Sequence, residues 1–80
     1  MYTTIICQKK EKRKCILIAQ NDEGELELEF KIPFFKTEKN IWILIHEIKR
    51  NFNKKGFNVT GSQVSSALTA EYENIPYMYY

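Results

Sequence analysis

Hydrophobic residues recur at helical spacing over only one long stretch of this chain, residues 38–55. Thr37 precedes the stretch as an N-cap, and Gly56 follows it as the C-cap residue. The pattern therefore predicts a capped amphipathic helix. Its apolar positions lie three, four or seven residues apart and share one face: Ile41, Leu44, Ile45, Ile48 and Phe52.

The residues before this helix have the patterns of three β-strands. Residues 2–8 are rich in β-branched side chains, and residues 14–20 are apolar on both faces, as in a central strand. In residues 25–32, apolar side chains alternate with charged ones, which predicts a strand with one buried and one wet face; Pro33 ends it. Residues 1–33 are thus predicted to form an antiparallel meander.

Two turns connect these strands. Residues 21–24, with the sequence Asn-Asp-Glu-Gly, are a strong turn signal. The basic segment between the first two strands contains no Gly, Asn or Asp. Because two-residue hairpin turns favour those residues, we expect a longer and mobile loop there.

A second helix is predicted over residues 61–73. Thr60 and Gln63 have the spacing of a capping box, and Val59 and Val64 occupy the matching staple positions. Residues 64–72 also alternate as a strand would, but the capping signature favours a helix. An aromatic tail, residues 74–80, completes a single α+β domain of 80 residues with the order βββαα.

Composition limits the classes of protein to consider. The chain has 44% hydrophobic residues, as packed domains do, and no apolar run near the length of a membrane span. No signal peptide is recognisable at the N-terminus. We therefore expect a cytoplasmic protein without membrane contact and with reduced cysteines. The bias toward Asn, Lys, Ile and Tyr is typical of viruses and mobile elements, which would place the protein in a host cell.

Charge is segregated along the chain, although the net charge is only +2. The basic segment between the first two strands is followed by an acidic one. Residues 22–29 contain Asp22 and the glutamates with no Lys or Arg between them. A cationic hairpin can lie along a phosphate backbone, so we predict a regulatory nucleic-acid-binding protein, DNA and RNA both being open. The alternative is that both segments are ordinary solvated loops. The predicted phosphate contacts are Lys9, Lys10, Lys12, Arg13 and Lys14, with Lys54 and Lys55 after the first helix.

The second helix supplies a resemblance as well. Val59-Thr60, Val64-Ser65 and Leu68 follow the turn residue Asn58, and this spacing resembles the recognition-helix half of a LacI-type helix-turn-helix. The resemblance implies that this helix enters the major groove, where a Gln amide pairs bidentately with adenine. The residues that it would direct to the groove are Gly61, Ser62, Gln63 and Ser66.

A small inhibitor or adaptor that binds a host protein is the alternative function. Its surface would be the acidic strand face, Glu25, Glu27 and Glu29, or the tail with Tyr77, Tyr79 and Tyr80. Trp42 and Ile43 lie off the main apolar face of the long helix. We expect the tail to cover them; a homodimer through these two residues is the other interpretation.

Catalytic and metal chemistry find little support. His46, Cys7 and Cys15 are too few to form a convincing zinc site, and the glycines are isolated rather than in a phosphate loop. We interpret the cysteines as buried structural thiols that face each other across the hairpin, with a disulfide as the less favoured alternative. We thus expect no enzyme, no metal and no cofactor.

Overall fold

Three antiparallel strands precede two helices, which confirms the α+β fold and the order βββαα. The computed structural model describes residues 3–11, 13–33 and 37–72, apart from the side chains of Lys9 and Lys10. No helix in those ranges is long and apolar enough to cross a membrane. The elements are β1 (Thr4–Glu11), β2 (Lys14–Asn21), β3 (Gly24–Lys31), α1 (Glu38–Lys54) and α2 (Gly61–Glu71).

The sheet has the order β1-β2-β3, so the strand that is apolar on both faces is the central one. On the inner face of β2, Cys15, Leu17 and Ala19 are fully buried beneath the helices. On its outer face Ile16 is buried and Ile18 is half-buried. The alternation predicted for β3 also holds, because Leu26, Leu28 and Phe30 pack against the core while the glutamates are exposed.

The turn between β2 and β3 is short, as predicted. Asn21 pairs with Gly24, and the Asn21 side chain accepts a hydrogen bond from the Glu23 amide at 2.8 Å. Gly24 has a φ of +148°, which residues other than glycine rarely adopt. The Asn and Gly of the turn signal therefore both have a structural role.

The prediction of a long loop between β1 and β2 is wrong. Glu11 pairs with Lys14, so only two residues separate the strands, and a register shift between Lys9 and Glu11 introduces a β-bulge. Tyr72 supplies the physical reason. Its buried hydroxyl donates toward the carbonyls of Glu11, at 3.1 Å, and Lys14, so the end of the hairpin is held by a residue distant in sequence.

The N-cap of helix α1 is the predicted residue, and its C-cap lies one residue earlier than predicted. The Thr37 hydroxyl accepts from the Asn40 amide at 3.2 Å. Lys55 is the C-cap, and Gly56 follows with a φ of +89°. The Gly56 amide donates to the Asn53 carbonyl, and the Phe57 amide donates to the Phe52 carbonyl, as in a Schellman motif. The five apolar positions predicted from the spacing are all buried.

Helix α2 begins with the predicted capping box and ends at Glu71, two residues before the predicted end. It contributes Val64, Ala67 and Leu68 to the same core as α1 and the inner sheet face, and it lies against β1. Both helices therefore cover one face of the sheet. The other face is open at Ile6, which is 55% exposed.

Candidate functional site

The hairpin end of the sheet concentrates positive charge. Lys14 and Lys31 stand directly opposite each other in the β2–β3 ladder. The ladder continues by one pair beyond them, since the Ile32 amide donates to the Arg13 carbonyl at 2.7 Å. Glu11, Arg13, Lys14 and Lys31 surround a surface depression of about 350 Å³. Three of these four side chains are cationic, and like charges in directly opposed positions repel. Glu11, opposite Lys14 in the β1–β2 ladder, is the one anionic side chain among them.

The sequence adds further cations to this end. Lys9 and Lys10 lie on β1 close to its end, and Lys12, which follows β1 in the sequence, is outside the described residues. At the other end of the same sheet, the β2–β3 turn carries Asp22 and Glu23. The segregation seen in the sequence thus becomes a sheet with one cationic and one anionic end.

Tyr72 fixes the position of the cationic end. Burial raises the pKa of its hydroxyl to about 12, so the group stays protonated and can donate well into the alkaline range. Sequence reasoning recognised Tyr72 only as a helix position. No local signal connects it to a hairpin some sixty residues earlier.

The side-chain amide of Gln63, the group best suited to recognise a base, is already hydrogen-bonded within the fold. Its Oε1 accepts from the Thr60 amide at 2.9 Å, and its Nε2 donates to the Thr3 carbonyl at 2.8 Å. Both ends of the amide are used. Ser62 and Ser66, the other groove candidates, line a cleft of about 590 Å³ between α2 and β1.

The start of α2 and the basic hairpin end do not form one patch. Gln63 bonds to Thr3, just before β1, whereas the cations lie at the far end of that strand. An eight-residue strand is about 26 Å long at about 3.3 Å per residue. Lys54 and Lys55 are exposed at the end of α1.

The acidic strand face is accessible. Glu25, Glu27 and Glu29 are all exposed on the outer side of β3. In the ladder Glu27 is opposite Ile18, and Ile18 is opposite Ile6. A row of carboxylates therefore borders an apolar strip of the open sheet face. The tail residues Tyr77, Tyr79 and Tyr80 lie outside the described residues.

Trp42 and Ile43 differ in burial. Trp42 is partly buried, with its ring centroid 6.0 Å from that of His46, whereas Ile43 is 55% exposed. Among the described residues, Ile6 and Ile43 are the exposed large hydrophobic side chains. The expected cover for Trp42 and Ile43 is the tail, residues 74–80, which lies outside the described ranges.

The two cysteines are free, buried thiols, as interpreted from the sequence, but they do not face each other directly, because Cys7 is opposite Leu17 and Cys15 is opposite Lys9. They lie on the inner face of neighbouring strands, and a hydrogen bond to Cys15 together with burial raises the pKa of the Cys7 thiol. A raised pKa disfavours the reactive thiolate. In the described part of the chain, no group of three or more His, Cys, Asp or Glu residues could hold a metal ion.

Sequence reasoning missed Lys31 as a member of the cationic end. The available signal was the register of the β2–β3 hairpin, because a turn at residues 22–23 places position 31 opposite position 14. We found no protein-family model, curated protein or solved structure that matches this chain. The function must therefore be inferred from the surface alone.

Proposed function

We propose that this protein is a non-catalytic nucleic-acid-binding protein that contacts phosphates with the hairpin end of its sheet. The observation that carries the proposal is the pairing of Lys14 with Lys31 beside Arg13, next to the three further lysines of the β1–β2 hairpin. A fold that opposes two lysines accepts a small cost in stability. Binding to a polyanion removes that cost.

The proposed contact is to the backbone and not to bases. The Gln63 amide, which would read adenine, is hydrogen-bonded at both ends within the fold. Lysines act on phosphate as point charges and carry no base information. We therefore expect binding with little sequence preference and with a strong dependence on salt.

The experiment compares two variants that each lose two positive charges. The first, Lys14→Gln/Lys31→Gln, is the lysine-pair variant. The second, Lys39→Gln/Lys49→Gln, is the helix control; both of its lysines are exposed on α1. Fluorescence anisotropy with a short labelled DNA duplex is measured between about 50 and about 200 mM salt.

The lysine-pair variant should bind more weakly, and its slope of log K against log salt should become shallower by about 0.9 for each phosphate that is no longer neutralised. The helix control should bind like the unmodified protein. Equal weakening in both variants would show a response to net charge only, and binding that ignores salt would reject phosphate contact.

A second candidate function is binding to a basic protein through the outer sheet face. The observation that favours it is the row Glu25, Glu27 and Glu29 beside Ile18 and the exposed Ile6. Apolar contact flanked by opposite charge is typical of specific interfaces. A stoichiometric protein partner that survives nuclease treatment, and is released on changing the three glutamates to Gln but not on changing exposed Glu38 and Glu47, would support this function.

A further inference from the structure

Over residues 4–8 the outer edge of β1 lacks the charges, prolines and bulges by which natural sheets prevent pairing with another strand; the lysines and the bulge of β1 lie beyond this segment, at residues 9–11. Residues 4–8 are Thr, Ile, Ile, Cys and Gln, with no charge and no proline. The opposite edge strand, β3, carries a glutamate at every second position, and Pro33 follows it closely. Charges and prolines protect edges, so β1 is the edge that remains available.

The register shows which backbone groups this edge presents. The hydrogen bond from Ile32 to the Arg13 carbonyl means that the odd-numbered residues of β2 bond to β3 and its even-numbered residues bond to β1. Their partners Thr4, Ile6 and Gln8 therefore face β2. Ile5 and Cys7 direct their N–H and C=O groups to the outer edge, and no hydrogen-bond partner on that side is found among the described residues.

Helix α2 runs alongside this edge without covering it. Gln63 bonds to the Thr3 carbonyl near the start of β1, and Tyr72 bonds to the Glu11 carbonyl at its end. Between these two bonds lies the cleft of about 590 Å³. Its helical wall includes a line of small side chains four positions apart, Ser62, Ser66 and Ala70, along which another element can approach closely; the longer Gln63 and Glu71 lie beside that line.

We propose that a second copy of this chain occupies the edge, with the two β1 strands pairing antiparallel about a twofold axis to form a six-stranded sheet. Ile5 and Cys7 form the hydrogen-bonded pairs, and the register that uses both residues of each copy places Ile5 of one opposite Cys7 of the other. Ile6 then lies opposite its own counterpart on the axis. This pairing covers the 55% exposed Ile6.

The helices are complementary in the same arrangement. Because α2 follows the direction of β1, the two α2 helices run antiparallel, with Ser66 of each near the axis. Glu71 of one copy then lies beside Gly61, the first residue of α2 in the other. A carboxylate near a helix N-terminus is favourable, and α2 has no acidic residue in its own first turn. Thr4 opposes Gln8, so the register brings no like charges together.

The test uses the two equally exposed isoleucines as a matched pair. Ile6→Lys places two lysines opposite each other on the proposed axis, whereas Ile43→Lys makes the same change on α1, where a homodimer through Trp42 would form. Sedimentation equilibrium from about 1 to about 500 µM gives the dimer dissociation constant of each form. Circular dichroism confirms that both variants fold.

We expect Ile6→Lys to raise the dissociation constant about tenfold or more, and Ile43→Lys to leave it unchanged. The amides of Ile5 and Cys7 should exchange more slowly at high protein concentration. A protein that is monomeric throughout, or a dimer that is abolished in Ile43→Lys but kept in Ile6→Lys, would overturn the proposal. Concentration-independent exchange at Ile5 and Cys7 would also overturn it.

Discussion

Replacing Lys14 and Lys31 by glutamine should stabilise this protein while weakening its binding to DNA. The two lysines are directly opposed, and like charges in this position destabilise an antiparallel pair by about 0.2–1 kcal/mol. Glutamine, whose side chain is one atom shorter, removes the repulsion. The change at Lys14 also removes its opposite-charge pair with Glu11 on β1, which offsets part of the gain. For a domain of this size, 1 kcal/mol corresponds to about 4–8 °C in Tm, so we expect a rise of at most about 8 °C.

Thermal unfolding followed by circular dichroism measures this change. At high salt the gain should shrink, because the Debye length falls to about 3 Å at 1 M. Neither Lys39 nor Lys49 in the helix control has another Lys or Arg three or four positions away within α1, so that variant should gain no stability from relief of repulsion. A lysine-pair variant that is less stable than the unmodified protein, or that binds DNA equally well, would refute the reasoning.

Three further predictions concern the fold that positions this end. Ile45→Ala should cost about 2–5 kcal/mol in urea denaturation, because Ile45 is 1% exposed in the core. Gln63→Ala should cost about 0.5–1.5 kcal/mol for each of the two side-chain hydrogen bonds it loses, to the Thr60 amide and the Thr3 carbonyl, and should leave the affinity for DNA unchanged in anisotropy. Tyr72→Phe should lower stability by about 1 kcal/mol and speed amide exchange near the hairpin end. The pKa of Tyr72 is raised to about 12, above its ordinary value near 10, so its contribution is complete below about pH 10 and is lost as the pH rises through about 12; Tyr72→Phe should remove this alkaline loss.

Each of these results has a contradicting outcome. An Ile45→Ala protein with unchanged stability would mean that α1 is not held by its apolar face. A strong decrease of DNA affinity in Gln63→Ala would mean that α2 is part of the binding surface. An alkaline unfolding curve that is the same with and without the Tyr72 hydroxyl would contradict the burial of that group.

The elements of the fold could be predicted because their signals are local. The five apolar positions of α1, the Thr60–Gln63 capping box and the alternation in β3 each specify an element within a few residues. The length of the β1–β2 loop could not be predicted in this way. It depends on a bulge and on Tyr72, which reaches the hairpin only after the chain has folded.

The candidate site, too, could be predicted only where its signal is local. The basic segment is visible in the sequence, but its extension by Lys31 requires the strand register, and the occupation of Gln63 requires the contact with Thr3. The resemblance of α2 to a recognition helix rests on residues that a capped helix packed on a sheet also needs. Val64 and Leu68 are buried against the core in this fold.

The most direct test of the phosphate contact is an NMR titration of the ¹⁵N-labelled protein with a short DNA duplex at low salt. We predict that the largest shifts occur at the amides of Glu11, Arg13, Lys14 and Lys31, and that they disappear as salt is raised. The amides at the start of α2, residues 61–66, and those of Glu25 and Glu27 should not move. Shifts confined to α2, or no shifts at all at low salt, would contradict the assignment of the hairpin end as the nucleic-acid contact.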